Sequence, residues 1–163
     1  MRALVRSLFV LLLIAAPGVC AAQDAIFIVR HAERADASAD SDLSPAGEAR
    51  AARLAAMLKD AGVTRIYTTE LKRTIQTAAP LAAALHLTAT ALKAADQKAL
   101  LAKVRAASPH DRLLIVGHSN TVPAVLLALG VRPAMTIPDT EFDNLFVVIP
   151  KAGGTPRLLR LRF

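Results

Sequence analysis

The sequence predicts an α/β fold, a three-layer α/β/α sandwich around a mostly parallel sheet. Three observations carry this reading. Short Ile/Val-rich runs without alternation, at 25–29 and 113–116, read as strands buried on both faces. Segments with helical spacing, bounded by Ser, Pro and Gly signals, separate the strands. Alternation of the two element types calls for crossover helices packed on both faces of a parallel sheet.

The elements follow in order. "AIFIV" (25–29) is the first strand, and "ADASADSDLS" (35–44) is a polar loop. In "SPAGEARAARLAAMLKDAG", Ser44 is the expected N-cap, Pro45 the first helical residue and Gly62 the stop; Leu54, Met57, Leu58 and Ala61 share the core face. "RIYTT" (65–69) is a strand, and residues 70–85 are a helix in which Pro80 predicts a kink or break. Residues 87–92 read as a weak edge strand and 96–107 as a third helix. "RLLIVGHS" (112–119) repeats the opening pattern, and 120–130 is helical to its glycine. "NLFVVIP" and "PRLLRLRF", joined by "KAGGT", form a closing antiparallel hairpin.

The chain start is read separately. Arg2 and Arg6 precede the apolar run "LFVLLLIAAPGV", and "CAAQD" supplies small residues, so 1–22 is read as an export signal cleaved after Ala22, with Ala21 the alternative. The run is short for a membrane span and is interrupted by Pro17-Gly18, so no stable anchor is expected after cleavage. The expected location is periplasmic or secreted, with residues 23–163 as one domain. The single cysteine, Cys20, leaves with the signal, which removes disulfides and thiol chemistry from the mature chain. Net charge is +7, or +5 without Arg2 and Arg6. Aromatic residues make up 4 % and no block of Lys/Arg longer than the pair Lys72-Arg73 occurs, so nucleic acid is not the expected partner. A small phosphorylated solute is, and the sequence sets no oligomeric state.

Two strands each run into a histidine, His31 and His118, just past their carboxyl ends. In an open parallel sheet the ligand crevice lies there. Arg30 precedes His31, and Arg73 sits in the first turn of the helix behind the 65–69 strand. Four cationic or cationisable groups without evident carboxylate partners need an anion, and arginine's fork suits a phosphoryl group. "DASADSD" superficially resembles a calcium loop, but Ser41 occupies the turn-glycine position and Gly47 the bidentate-glutamate position. No metal site is expected.

Four motifs make the resemblance specific. "VRHAE" resembles the "RHG" signature of the histidine phosphatase (phosphoglycerate mutase-like) superfamily. "LSPAGEARA" is similar to its "LTxxGxxQA" segment, "IYTTELKRTIQTA" to "SxLxRAxQTA", and "VGHSNTVPAVL" to its second histidine motif. They occur in family order over roughly 26–126, and size points to a small branch-1-type member. The resemblance implies a phosphoglycerate mutase-like fold and a phosphomonoester hydrolase that needs no cofactor. His31 would be the nucleophile, forming a phosphohistidine that water hydrolyses. Its other ring nitrogen would donate to a backbone carbonyl to fix the tautomer. Arg30, Arg73 and His118 would hold the equatorial oxygens, with Ser119 and Asn120 adding substrate contacts. Two departures stand out. Ala32 replaces the usual glycine, and no acidic residue sits in a long insert after the third strand. Asp96, Glu33 and Glu141 are the candidate proton donors, Asp96 being equally suited to cap a helix. Other readings are a phosphoester-binding module with lost catalysis, a phosphohistidine protein phosphatase, or a mutase.

Overall fold

Six strands form one sheet in the order β3-β2-β4-β1-β5-β6 in a computed structural model that describes residues 24–163. The strands are β1 (Ala25–Arg30), β2 (Arg65–Thr69), β3 (Thr90–Leu92), β4 (Arg112–Gly117), β5 (Asn144–Ile149) and β6 (Arg157–Arg162). The helices are α1 (Pro45–Leu58), α2 (Lys72–Ala84), α3 (Gln97–Arg105) and α4 (Thr121–Ala128). β3, β2, β4 and β1 are parallel, whereas β5 and β6 turn back as the expected hairpin. The expected export signal over 1–22 lies outside the described residues.

Strand alternation divides the core into two layers. Ile26, Ile28, Leu113 and Ile115 face α3 and α4 with Val104, Val122, Val125 and Leu126. Phe27, Val29, Leu114 and Val116 face α1 and α2 with Leu54, Leu58, Ala78 and Leu81. Burial on both faces explains the unbroken apolar runs of β1 and β4.

Helix α1 starts as the sequence predicts, with Ser44 Oγ accepting from Gly47 N at 3.1 Å and Pro45 at the first position. Met57 is a correction: it is 45 % exposed, because the buried stripe of α1 runs through Ala51, Leu54, Ala55 and Leu58. Pro80 does not break α2, which continues to Ala84; Thr77, Ala78 and Leu81 on either side are buried and hold both turns on the sheet. Asp36, Asp40 and Asp42 of the polar loop bind Ser38 N, Lys72 N and Gln76 Nε2, which fastens the loop to the start of α2.

Candidate active site

Register between neighbouring strands brings the two histidines together. Arg30 of β1 pairs with Gly117 of β4, so His31 and His118 follow side by side, their ring centroids 5.3 Å apart and edge to face. His31 N donates to Gly117 O at 2.9 Å, extending the ladder one rung past the strand. A Cβ at Gly117 would lie 2.8 Å from Thr121 Oγ1. That hydroxyl accepts from His118 N at 2.8 Å and fixes the histidine's backbone.

The His31 tautomer follows from one contact. Nδ1 lies 2.8 Å from Ala32 O, and a carbonyl can only accept, so Nδ1 carries the proton and Nε2 the lone pair. The Ala32 peptide is itself held: its N–H donates to Thr77 Oγ1 at 2.9 Å, and Thr77 donates to Arg73 O at 2.6 Å. Alanine replaces glycine at 32 without crowding, because its methyl is buried with Leu43 and Ala51. Gly47 backs the same segment: a Cβ there would meet Glu33 O at 2.3 Å.

His118 is oriented by a hydroxyl chain. Its Nε2 lies 3.0 Å from Thr69 Oγ1, which is 2.9 Å from Thr74 Oγ1. Thr74 donates towards the carbonyls of Leu71 and Thr69, so it accepts from Thr69, and Thr69 accepts from His118 Nε2–H.

Both arginines keep a buried donor in reserve. Arg30 is 5 % exposed; its Nη1 donates to Pro138 O and Glu141 O at 3.0 and 3.1 Å, and its guanidinium lies 4.1 Å from the Phe142 ring centre. Arg73 Nη1 donates to Ala39 O at 2.7 Å. The Nε atoms of both are buried and have no hydrogen-bond partner among the described residues. An unmade buried hydrogen bond costs about 1–3 kcal/mol, a cost that an oxyanion between the two guanidinia would relieve.

The electrostatics point the same way. Burial, reinforced by His118, Arg30 and Arg73, pushes His31 down to about 3. Burial and then Arg73 push His118 down to about 4. Burial also lowers both arginines, and Arg34 lowers them further. Neutral imidazoles in a field of cations suit a nucleophile awaiting an anion.

These groups line a cavity of about 550 Å³ that also includes Arg34, Ser119, Asn120 and Asp139. Arg30, His31, Arg73, His118, Ser119 and Asn120 thus converge. The three candidate acids do not. Glu33 is bound through both oxygens by Arg50; burial alone would raise its carboxyl, but that bond holds it below the usual range. Glu141 is bound by Asn144, Arg160 and Arg162, the Asn144 bond leading in holding its carboxyl low. Asp96 caps α3, accepting from Ala99 N at 2.9 Å. Sequence reasoning missed Arg34, Asp139 and Phe142. Arg34 was legible as the third residue after His31, whereas Asp139 and Phe142 stand in an irregular loop with no periodic signal.

Comparison with known proteins agrees with this geometry. A family model, "Histidine phosphatase superfamily (branch 1)", matches residues 26–96. No curated protein sequence matches the chain. Among solved structures, SixA from Agrobacterium tumefaciens, a candidate phosphohistidine phosphatase, is 21 % identical with a TM-score of 0.67, covering 86 % of this chain and 99 % of that one. A mycobacterial glucosyl-3-phosphoglycerate phosphatase with inorganic phosphate is 14 % identical with a TM-score of 0.69, covering 86 % and 96 %. SixA in complex with tungstate, a protein histidine phosphatase, is 20 % identical with a TM-score of 0.61, covering 85 % and 96 %. At these identities the likeness speaks for the fold. Together with the matched segment and the ordered motifs, it makes the chain similar, over residues 26–96, to branch 1 of the histidine phosphatase superfamily.

Proposed function

We propose that this protein is an exported phosphatase that hydrolyses phosphomonoesters through a phosphohistidine on His31. The observation that carries the reading is the His31–Ala32 contact, which leaves Nε2 unprotonated at a cavity bordered by two arginines with unpartnered Nε atoms. Nε2 attacks phosphorus, and the P–O bond to the alcohol breaks. Arg30 and Arg73 offset charge on the three remaining oxygens, and His118 joins them when the bound dianion draws a proton onto its Nδ1, the nitrogen that Thr69 leaves free. Water then attacks the phosphohistidine in line, releasing orthophosphate and restoring His31. The arginines supply the charge compensation, so the reaction needs no divalent ion. Export rests on the sequence pattern of 1–22, with the periplasm or the exterior as the site of action.

A phosphohistidine protein phosphatase is the second reading, supported by near-complete coverage of SixA from Agrobacterium tumefaciens. Export disfavours it, since phosphohistidine proteins are mainly cytosolic. The test is a quench experiment with labelled p-nitrophenyl phosphate. The wild type should carry acid-labile, base-stable phosphate on His31. His31→Ala should carry none and lose turnover by on the order of 10³-fold or more while remaining folded. Full turnover by His31→Ala would defeat the proposal.

A further inference from the structure

A second groove, of about 490 Å³, opens beside the catalytic cavity and shares Ser119, Asn120 and Asp139 with it. Its own walls are Pro123 of α4 and the segment Met135, Thr136, Ile137 and Pro138. Ile137 is buried, and Met135 packs against the core layer of α3 and α4, so the floor is apolar and supported from beneath. Among the described residues no lysine or arginine lines this groove, whereas the neighbouring cavity carries Arg34 and Arg73. Asp139 stands on the wall common to both spaces and is the one carboxylate among the described residues lining the catalytic cavity. Its side chain is 87 % exposed, and its sole polar neighbour among the described contacts is Arg30 Nη2 at 3.6 Å.

We infer that this groove holds the alcohol half of the substrate and that Asp139 is the acid that protonates the departing oxygen. The inference rests on the phosphohistidine reading above. A phosphoryl group caged by Arg30, Arg73 and His118 leaves its ester oxygen as the link to whatever lies outside the cage. An acid must stand where cage and alcohol site meet, and Asp139 stands there. As the P–O bond breaks, its electron pair goes to the bridging oxygen, which takes the carboxyl proton and departs as a neutral alcohol. The Asp139 carboxylate then accepts a proton from the water that attacks the phosphohistidine, and the cycle closes. The groove also sets the substrate class. With an apolar floor, no cation and a carboxylate at its entrance, it suits an alcohol with a carbon body and no anionic group. A carboxylated or doubly phosphorylated alcohol would meet Asp139 unfavourably.

Hexyl, methyl and p-nitrophenyl phosphate separate the parts. An aryl oxide leaves as a stable anion and needs little help from an acid, whereas hexanol and methanol need the proton. Asp139→Asn should lower kcat/KM on hexyl phosphate by on the order of 10²-fold or more. Its loss on p-nitrophenyl phosphate should be at least about tenfold smaller, and the basic limb of its hexyl phosphate pH–rate profile should vanish. Met135→Ser should lower the hexyl-over-methyl preference several-fold through KM, with kcat retained. Equal losses on alkyl and aryl substrates in Asp139→Asn would show only a disturbed Arg30 and overturn the acid role. A wild type that hydrolyses the aryl ester but shows no preference for hexyl over methyl phosphate would overturn the groove assignment. A wild type that neither turns over the aryl ester nor labels His31 would overturn the phosphatase reading itself, and this inference with it.

Discussion

The two walls of the catalytic cavity are built by different means. One comprises the turn after β1, the start of α2 and the turn after β4. There the backbone is pinned by bonds that cross between elements: His31 N to Gly117 O, Ala32 N to Thr77, and His118 N to Thr121. The other wall, residues 134–143, has no helix or strand and reaches the site chiefly through the Pro138 and Glu141 carbonyls and the Phe142 ring on Arg30. On the proposed reading the first wall meets the phosphoryl group, which is the same in every phosphomonoester, and its geometry must be fixed for in-line attack. On the same reading the second meets whatever alcohol the phosphate is attached to, and its side chains away from the Arg30 contacts can change without disturbing the cage. Arg30 is where the two walls join. Damage to the first wall should therefore strike all substrates alike, while damage to the second should discriminate among them.

After His31 itself, the largest effect expected from the first wall is at Arg73. Arg73→Lys keeps the charge but loses the fork, both the bond to Ala39 O and the buried Nε donor. We expect turnover to fall by on the order of 10²–10³-fold. The loss should be the same for aryl and alkyl phosphates, because the cage precedes any difference in leaving group. Steady-state rates on both classes check this. A loss confined to one class would mean that the two walls are not separable.

Gly47 tests the support of the first wall rather than its chemistry. Alanine there would place Cβ 2.3 Å from Glu33 O, a backbone atom that can move only if the turn after His31 moves with it. Overpacking of this kind costs about 1–3 kcal/mol, each about 2–4 °C in Tm for a chain of this size. Thermal unfolding should show that loss, and activity should fall with it on every substrate. An unchanged Tm would mean that α1 slides away from the turn at little cost.

The same division decides what the sequence could reveal. The first wall was legible because its residues sit at strand ends and helix starts, where an apolar run or a cap marks the element and the next residue is necessarily at the mouth. His31 and His118 follow buried runs, and Gly47 and Ser44 mark the start of α1. Proton donors were sought at Asp96, Glu33 and Glu141, but each carboxylate has a local claimant: the N–H of Ala99, the Arg50 fork, and Asn144 with two β6 arginines. Pairings across 17 or 19 positions, as in Arg50–Glu33 and Arg160–Glu141, leave no local periodic trace. Asp139 was overlooked for a related reason. "MTIPDTEFDN" has neither helical nor strand spacing, so nothing in it says which of its three acids faces the site. Met57 and Pro80 show the limit on the fold itself. Helical spacing gives a face but not its width, and a proline's penalty yields where both flanking turns are anchored.

The smallest expected effect lies at Thr69, which reaches His31 only through His118. Thr69 accepts from His118 Nε2–H and passes its own proton to Thr74, so it sets the angle of the second imidazole without facing the phosphate itself. Thr69→Val keeps shape and burial but removes the acceptor. The ring N–H then has no partner in a buried site, and His118 is free to turn. A single hydrogen bond to a neutral partner is worth about 0.5–1.5 kcal/mol, which corresponds to a loss of at most about tenfold in turnover. Thr69→Ser restores the hydroxyl and should recover most of that loss. The recovery separates orientation of His118 from simple packing, because serine lacks the methyl group that valine keeps. If valine matched the wild type while serine was impaired, the methyl rather than the hydroxyl would be what holds the second histidine in place. The loss in Thr69→Val should again be equal on aryl and alkyl phosphates, as it must be for a residue that acts through the cage.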